Sequence, residues 1–379
     1  MGRAPGRTGL ASLPIISVAP FLHSDNPAER LSAAAALHAA CTEYGFFYLD
    51  ISSYVDPSEP EELTHLAREF FASPQEEREK ISISNEDGVR GYQRLKENVT
   101  NGKADNHEAI DFFRPVENPD KTKTVWGENQ WPIIPGFKEK YDIWIEKMKK
   151  LGLIVMEAMS IGLGMAPEEW AQLRSKVDNS FWVMRIIGYP PLPNDFGGFS
   201  CGAHKDYGCL TFLYADPTPG ALQVFLNQQP GLQETDSAVH REHADEGGKW
   251  INADPIPGCV VCNIGEMWEV WTNGLYKSTL HRVIHRGSNY RVSIPFFFEA
   301  NFDALVEPLA AARLIQDEDR ATCQVKEPLK MYKPIVYGDF LLKKLAGNYA
   351  TSGKGRYGTD EQTWGLNGEI SVPHDTYPD

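Results

Sequence analysis

The chain has 379 residues, of which 42% are hydrophobic and 11% are aromatic, an ordinary composition for a globular protein. Its formal net charge of −15 disfavours a polyanionic partner such as nucleic acid or an anionic membrane surface. No run of about 18 apolar residues occurs, because Glu157 interrupts the best candidate, so no membrane-spanning helix is expected. Six cysteines without a signal peptide predict reduced thiols in a cytoplasmic protein.

The first 150 residues predict short strands and helices, followed by a segment rich in loops. Cap residues, apolar periodicity and strand-forming runs predict strands over 13–18 and 46–51 and helices over 27–43 and 58–72, and a charged segment over 75–80 predicts a short exposed helix. Residues 83–132 combine loop-forming and polar residues. We interpret this segment either as a lid that faces a substrate or as a solvated loop anchored by Tyr92.

The rest of the chain predicts a long helix, a strand-rich core and a helical end. Helical periodicity covers 135–164 and 167–175, and strand-like sequence follows over 179–300. A polar segment near 228–248 interrupts these strands and predicts an inserted loop. The chain therefore divides into an N-terminal region with the lid segment, a strand-rich core, and C-terminal helices with a loose tail, over 1–150, 151–304 and 305–379.

Two histidines and one aspartate predict a metal site in the strand-rich core. His204 and Asp206 are two residues apart in strand-like sequence, so their side chains are expected on the same face. A second strand-like segment supplies an imidazole from His281, and His285, four residues farther on, is the alternative. Two imidazoles and one carboxylate leave about three positions open on an octahedral metal, which suits an iron(II) oxygenase, although zinc accepts the same ligands.

The strand after these histidines carries a candidate anion site. Arg291 and Ser293 share one face of the predicted strand, and Pro295, Phe297 and Glu299 follow on that face. A guanidinium fork beside a hydroxyl group suits a carboxylate. The sequence thus predicts an anchor for an acidic ligand close to the metal.

Short motifs spread over residues 13 to 345 accompany these candidates. Besides the segments around His204, His281 and Arg291, they include Gly45-Phe46-Phe47-Tyr48, Arg90-Gly91-Tyr92, Tyr189-Pro190, Asn263-Ile264-Gly265-Glu266 and Trp271-Thr272-Asn273-Gly274. With this set of motifs the chain resembles the iron(II)/2-oxoglutarate-dependent dioxygenases of the isopenicillin N synthase-like group.

The resemblance implies a fold and a set of cofactor ligands. The fold is a mainly β, distorted double-stranded β-helix (jelly roll) with flanking helices, and its site lies at one mouth of the barrel. The family pattern selects His281 over His285, and iron(II) would then be held by His204, Asp206 and His281. Dioxygen is one co-substrate, and the distal carboxylate of the other, 2-oxoglutarate, would be held by Arg291, Ser293 and Tyr189.

Strand alternation and the family pattern together predict which residues meet the substrate. These residues are Arg185, Ile187, Phe297, Glu299 and Tyr92. Phe297 would form an apolar wall, and Glu299 would orient a polar group or pair with Arg185. If a bulge follows Pro295, Phe297 would pack in the core instead.

Three functions are compatible with this sequence. The first couples oxidative decarboxylation of 2-oxoglutarate to hydroxylation, desaturation or ring closure of a small-molecule metabolite. The second is an iron-dependent oxidase of the same fold that does not use 2-oxoglutarate. The third is a non-catalytic jelly-roll binding protein, which three intact metal ligands disfavour. We favour the first function, and we expect a monomer without nucleic acid or membrane partners.

Overall fold

The computed structural model describes residues 12–193, 197–227, 248–323 and 331–348, and two facing sheets form its centre. The eight strands of the major sheet are β1 (Ile15–Ser17), β2 (Phe46–Asp50), β3 (Gly91–Gln93), β6 (Glu108–Phe113), β7 (Val183–Tyr189), β9 (Leu210–Ala215), β12 (Cys259–Ile264) and β14 (Arg291–Phe298). The four strands of the minor sheet are β8 (Cys201–His204), β10 (Leu222–Asn227), β11 (Gly248–Asn252) and β13 (His281–Val283).

Helices and two short hairpins surround these sheets. The hairpins are β4 (Val99–Thr100) with β5 (Lys103–Ala104), and β15 (Leu305–Val306) with β16 (Ile335–Val336). The helices are α1 (Ala19–His23), α2 (Pro27–Glu43), α3 (Ser58–Ala72), α4 (Gln75–Glu79), α5 (Phe137–Gly162), α6 (Pro167–Arg174), α7 (Glu266–Trp271), α8 (Ala310–Thr322) and α9 (Tyr337–Asn348), with a 3₁₀ turn at Ile83–Asn85.

The strand order brings together segments that are far apart in the chain. The major sheet has the order β1-β2-β12-β9-β14-β7-β6-β3, and the minor sheet has the order β11-β10-β13-β8. Strands β1 and β2 pair in parallel, and the remaining pairs of both sheets are antiparallel. Two facing, mainly antiparallel sheets with helices outside them form the jelly roll expected from the sequence.

Apolar side chains form a separate core on each face of the major sheet. Between the two sheets, Tyr48, Ile187 and Val261 of the major sheet belong to one cluster with Leu222 and Val283 of the minor sheet. On the outer face, α3 and α5 pack against β14 and complete a larger cluster. Alternate residues of each major-sheet strand therefore point into the barrel or into the helical layer.

Helix α5 approaches β14 closely at Gly152. A Cβ atom on Gly152 would lie 2.2 Å from Cδ2 of the Phe298 ring, far inside van der Waals contact. The absence of a side chain lets the helix backbone rest on the aromatic ring. This contact fixes the outer face of β14, and hence the position of its inner face, which carries Arg291 and Ser293.

Most predicted helices and strands are confirmed, including α2 and α3 at nearly the expected ends. Two expectations are wrong. Residues 83–132 are more than loop, because β3 and β6 from this segment join the major sheet. The region 179–300 is not continuous strand, because α7 begins directly after Gly265. Strand β6 carries two buried carboxylates, Glu108 and Asp111, whose partners Arg78 and Arg185 lie elsewhere in the chain.

The predicted insertion and the predicted division of the chain into three regions are not tested by the structure. The insertion predicted near 228–248 falls almost entirely outside the described residues. The division at residues 150 and 304 stays a prediction, and the region before residue 150 supplies β1, β2, β3 and β6 to the same sheet as the later strands. In the described part of the chain, every helix is too short or too polar to cross a bilayer.

Candidate functional site

Two histidines and an aspartate converge at one mouth of the barrel. His204 is the last residue of β8 and His281 is the first residue of β13, and the two lie opposite each other in the antiparallel pair. Asp206 follows beyond the end of β8. Its Oδ1 atom lies 3.6 Å from Nε2 of His204 and 3.5 Å from Nε2 of His281. The structure therefore brings the three residues together, but Asp206 extends from a loop and not from the expected strand.

Backbone carbonyl groups set the orientation of both imidazoles. Nδ1 of His204 lies 2.8 Å from the carbonyl oxygen of Gly202, and Nδ1 of His281 lies 3.1 Å from that of Thr279. A carbonyl oxygen only accepts, so both Nδ1 atoms carry a proton and both Nε2 atoms face Asp206. Metal-binding histidines are oriented by this kind of second hydrogen bond.

The two oxygen atoms of Asp206 have different surroundings. Oδ2 accepts hydrogen bonds from the Thr211 hydroxyl and, at 2.6 Å, from the side-chain amide of Asn263. Thr211 and Asn263 lie opposite each other on β9 and β12, so the major sheet itself holds the carboxylate. Oδ1 is the atom that faces both histidines and is left for a metal ion.

The charges in this cluster favour a bound cation. Burial would raise the pKa of Asp206, but His281 and His204 hold it well below its ordinary value. Burial would lower the pKa of His204, but Cys201 and Asp206 raise it to about 10. The cluster thus attracts a positive charge, and a metal ion that binds there displaces a proton.

The donor set fits iron(II), and the alternative histidine, His285, lies outside it. The ligand atoms of His204, Asp206 and His281 all lie within 4.8 Å of one another, and this set leaves about three positions for other ligands. His285 lies beyond the end of β13, where its Nε2 atom is 2.7 Å from the carbonyl oxygen of Asn289. That ring serves the turn between β13 and β14.

A buried arginine lies farther along the barrel interior, and no ion pair with it is formed by the described residues. Arg291 is opposite Tyr189 in the β14–β7 pair, and its guanidinium carbon lies 4.9 Å from the centre of the Tyr189 ring. Its side chain is buried, and Nε and Nη1 have no hydrogen-bond partner among the described residues. Burial raises the pKa of Tyr189 to about 12, so its hydroxyl keeps the proton that it can donate. With Ser293 on the same face, this group fits a carboxylate.

A second arginine, on the inner face of the neighbouring strand β7, is already paired. Nε of Arg185 lies 2.6 Å from Oδ1 of Asp111, and Nη2 lies 3.4 Å from Oε1 of Gln93. Gln93 also donates to the other oxygen of Asp111. Burial raises the pKa of Asp111 to about 6, although Arg185 opposes this change. Asp111 and Gln93 were missed by the sequence analysis, since they lie in the segment interpreted as a lid or loop.

The register of β14 is continuous from Ser293 to Phe298, without a bulge after Pro295. Phe297 is half-buried and lies opposite Thr211, whereas its neighbours Phe296 and Phe298 belong to the outer core. Phe297 therefore faces the side on which Asp206 is held. Ile187 packs in the core between the sheets.

Two residues expected near the substrate have other surroundings. Tyr92 is on the outer face, where its hydroxyl donates to Glu108 at 2.6 Å and its ring packs against Phe70. Glu299 does not pair with Arg185; it is buried against Gly208, and a Cβ atom there would overlap its carboxylate. Burial raises the pKa of Glu299 to about 8. The substrate contact predicted for Tyr92 is therefore corrected, and of the two roles predicted for Glu299 the ion pair with Arg185 is not formed.

The C-terminal helix α9 contacts the loop that carries Asp206. Nζ of Lys344 lies 2.8 Å from Oε2 of Glu266 and 5.2 Å from the centre of the Tyr207 ring. The backbone N–H of Glu266 donates to the carbonyl of Asp206 at 2.9 Å. The motif from Asn263 to Glu266 thus supports Asp206 at two points, a role that its sequence alone did not reveal.

Comparisons with protein families cover most of the folded chain. The family described as "non-haem dioxygenase in morphine synthesis N-terminal" matches residues 13–133. The family described as "2OG-Fe(II) oxygenase superfamily" matches residues 179–300, which include the two histidines, Asp206 and Arg291.

Individual proteins agree with these families. A homoarginine-6-hydroxylase of Arabidopsis thaliana is 39% identical over 90% of this chain and 99% of its own length. One of Glycine max is 38% identical, over 90% of this chain and 98% of its own length. The crystal structure of a 2OG-Fe(II) oxygenase family protein from Caulobacter crescentus superposes with a TM-score of 0.68 at 25% identity, and the match covers 88% of this chain and 98% of that one.

These findings confirm the predicted fold class, enzyme class and cofactors, and they do not favour an oxidase that bypasses 2-oxoglutarate or a non-catalytic binding protein. The chain belongs to the Fe(II)/2-oxoglutarate-dependent dioxygenases, which use iron(II), 2-oxoglutarate and dioxygen to oxidise small molecules.

Proposed function

We propose that this enzyme hydroxylates a free basic amino acid of the homoarginine type. The observation that carries the proposal is similarity to four homoarginine-6-hydroxylases, which are 36% to 39% identical over 89% to 90% of this chain. One oxygen atom of dioxygen would enter the product as a hydroxyl group. The other would enter succinate as 2-oxoglutarate loses carbon dioxide.

In this proposal, His204, Asp206 and His281 hold the iron(II) that supplies the oxidising chemistry when dioxygen and 2-oxoglutarate are bound. The convergence of their ligand atoms supports the assignment. The distal carboxylate of 2-oxoglutarate binds Arg291, and Ser293 and Tyr189 donate hydrogen bonds to it. The unpartnered Nε and Nη1 of Arg291 support this part, since a buried guanidinium without an anion is costly.

Arg185 is the proposed contact for the carboxylate of the amino acid. Its side chain is 20% exposed, whereas that of Asp111 is 3% exposed, so the pair presents the arginine and not the aspartate. Phe297 would contact the methylene chain, and Ile187 would close the floor of the pocket. A carboxylate at one end and an apolar wall beside it would position the carbon that reacts. Tyr92 and Glu299 have no part in this proposal, because of their positions.

The test is amino-acid-stimulated turnover by the full chain with iron(II), 2-oxoglutarate and dioxygen. We expect homoarginine to raise succinate formation well above the rate without amino acid, and to gain the mass of one oxygen atom. Arginine, one methylene shorter, and lysine are matched comparisons. His204→Ala should be inactive with every amino acid.

The possible outcomes separate the two parts of the proposal. If the enzyme forms succinate but none of these amino acids raises the rate, the proposed substrate class is wrong and the use of 2-oxoglutarate still stands. Stimulation by lysine or arginine above homoarginine would keep the class and correct the chain length.

We also infer that the enzyme is a monomer that works in the cytoplasm without nucleic acid or membrane partners. The net charge of −15 supports the absence of polyanionic partners. Light scattering on the purified chain should give a mass near 42.5 kDa, and a dimer mass would contradict the monomer.

A further inference from the structure

A second cluster of metal-binding residue types lies beside the first. Asp105, His107 and Cys201 offer a carboxylate oxygen, an imidazole nitrogen and a thiol sulfur, all within 4.8 Å of one another. Asp105 and His107 are buried, and Cys201 is partly exposed. An ion could therefore reach the cluster from the side of Cys201.

The imidazole of His107 is oriented like those of the first cluster. Its Nδ1 atom lies 2.7 Å from the carbonyl oxygen of Ser200, so Nδ1 carries the proton. Its Nε2 atom is buried and has no hydrogen-bond partner among the described residues. His204 and His281 likewise point Nδ1 at a backbone carbonyl. A buried acceptor without a partner requires an explanation, and a bound cation provides one.

The carboxylate of Asp105 is held rigidly by hydrogen bonds. Oδ1 accepts from the backbone N–H of Gly202 at 2.8 Å. Oδ2 accepts from the side-chain amide of Asn98 at 2.6 Å and from the hydroxyl of Thr100 at 2.7 Å. Carboxylates that bind metals are supported in this way, and Oδ1, which accepts a single hydrogen bond, retains a lone pair for an ion.

We propose that Asp105, His107 and Cys201 form a second metal site, which binds a thiophilic divalent cation of the zinc class. Zinc accepts nitrogen, oxygen and thiolate sulfur, and three protein ligands leave one tetrahedral position for water. Thiolate favours softer ions than the donors of the first cluster, which include no sulfur. On binding, the thiol of Cys201 loses its proton to solvent and the sulfur–metal bond forms.

The two clusters share strand β8, which carries both Cys201 and His204. Sγ of Cys201 lies 3.8 Å from Nδ1 of His204. An ion at the second site would draw the thiolate toward Asp105 and add positive charge close to His204. We therefore expect occupation of this site to weaken iron binding and to lower turnover.

Cadmium(II) is a suitable probe, because its bond to a thiolate absorbs in the near ultraviolet. The full chain, loaded with iron(II) under anaerobic conditions, is titrated with cadmium while absorption and bound metal are measured. We expect one equivalent of cadmium with thiolate absorption. Cys201→Ser should abolish the absorption, and His107→Gln should weaken cadmium binding by about tenfold or more. Cys259→Ser and Cys323→Ser are matched controls and should not change it.

His204→Ala separates this site from the first cluster. Thiolate absorption that persists in His204→Ala supports an independent site. Absorption that is lost in His204→Ala but kept in His107→Gln would place the ion on the first cluster, and the proposal would be wrong. Absence of thiolate absorption in the unmodified enzyme would overturn it directly. If His107→Gln fails to fold in a thermal melt, Asp105→Asn replaces it, since it keeps the hydrogen-bond acceptor and removes the charge.

Discussion

Two arginines lie on the inner face of the major sheet, Arg185 on β7 and Arg291 on the neighbouring strand β14, and their surroundings differ. Arg291, paired across from Tyr189, has two guanidinium nitrogens without a partner among the described residues. Arg185 has Asp111 at 2.6 Å and Gln93 at 3.4 Å. A buried charge without a counter-ion is costly, so Arg291 gains from any carboxylate that reaches it.

This difference suggests how one barrel can bind 2-oxoglutarate and a carboxylated substrate at separate, selective sites. Under the proposed function, the anion at Arg291 would complete the structure, which suits a co-substrate that is needed in every turnover. At Arg185 an incoming carboxylate must share the guanidinium with Asp111. A ligand that binds Arg185 gains less binding free energy from the guanidinium, so its other contacts have more influence on which substrate is selected.

Neither arginine contributes to turnover unless iron is bound, so loss of a metal ligand should have the largest effect. We expect His281→Ala to lose stoichiometric iron(II) and activity, because only three protein ligands are available. His285→Ala is the matched control and should keep both. Iron content and succinate formation are measured for each variant. Loss of iron from His285→Ala and not from His281→Ala would reverse the assignment.

Removal of the unpaired arginine should have the next largest effect. Losing a buried charge partner typically costs about 2–5 kcal/mol, so Arg291→Ala should raise the 2-oxoglutarate requirement by at least about tenfold. Iron should stay bound, and Arg291→Lys should be intermediate because it keeps the charge and loses the fork. A 2-oxoglutarate saturation curve that does not change would remove Arg291 as the anchor.

Removal of the paired arginine should affect the other acid. We expect Arg185→Ala to raise KM for the amino-acid substrate severalfold while the 2-oxoglutarate requirement stays constant. Asp111→Asn should lower that KM, because it frees the guanidinium charge. If both variants change 2-oxoglutarate saturation instead, the two arginines do not serve different ligands.

The two faces of β14 provide a similar contrast. Phe296 is buried in the outer core, so Phe296→Ala should cost about 3–5 kcal/mol of folding free energy. Phe297→Ala should lower the melting temperature much less and should change KM or the product pattern. Thermal melts and steady-state kinetics distinguish them, and the opposite result would show that Phe297 has only a packing role.

The smallest effect should be a dependence of substrate binding on pH. The pKa of Asp111 is raised to about 6, so this carboxylate loses its charge as pH falls from 7 through 6. Arg185 then keeps its positive charge without a counter-ion, and KM for a carboxylated substrate should decrease. Asp111→Asn should remove this dependence, and the 2-oxoglutarate requirement should not show it.

Sequence reasoning recovered the residues whose roles depend on order and alternation. The pairing of His204 with Asp206 and the shared face of Arg291 and Ser293 needed only spacing and alternation, and the structure brings His204 and Asp206 together with His281. The rejection of His285 came from the family pattern, and the structure gives the reason, since β13 ends at Val283.

The missed features depend on partners that are distant in the chain. Asp111 is a polar residue in a short strand, and only its contact with Arg185 explains its burial. Tyr92 and Gln93 lie in a segment interpreted as a lid or loop, so no strand alternation was available to indicate that Gln93, and not Tyr92, faces inward. His107 and Cys201 became a cluster only when the fold joined two segments.

The contact between α9 and the Asp206 loop also links the end of the described chain to the metal. Lys344 binds Glu266, and the backbone N–H of Glu266 donates to the carbonyl of Asp206. Docking of α9 and binding of iron are therefore expected to be energetically coupled. Such coupling is reciprocal. If docking of α9 strengthens iron binding, bound iron must protect α9 from local unfolding to the same extent.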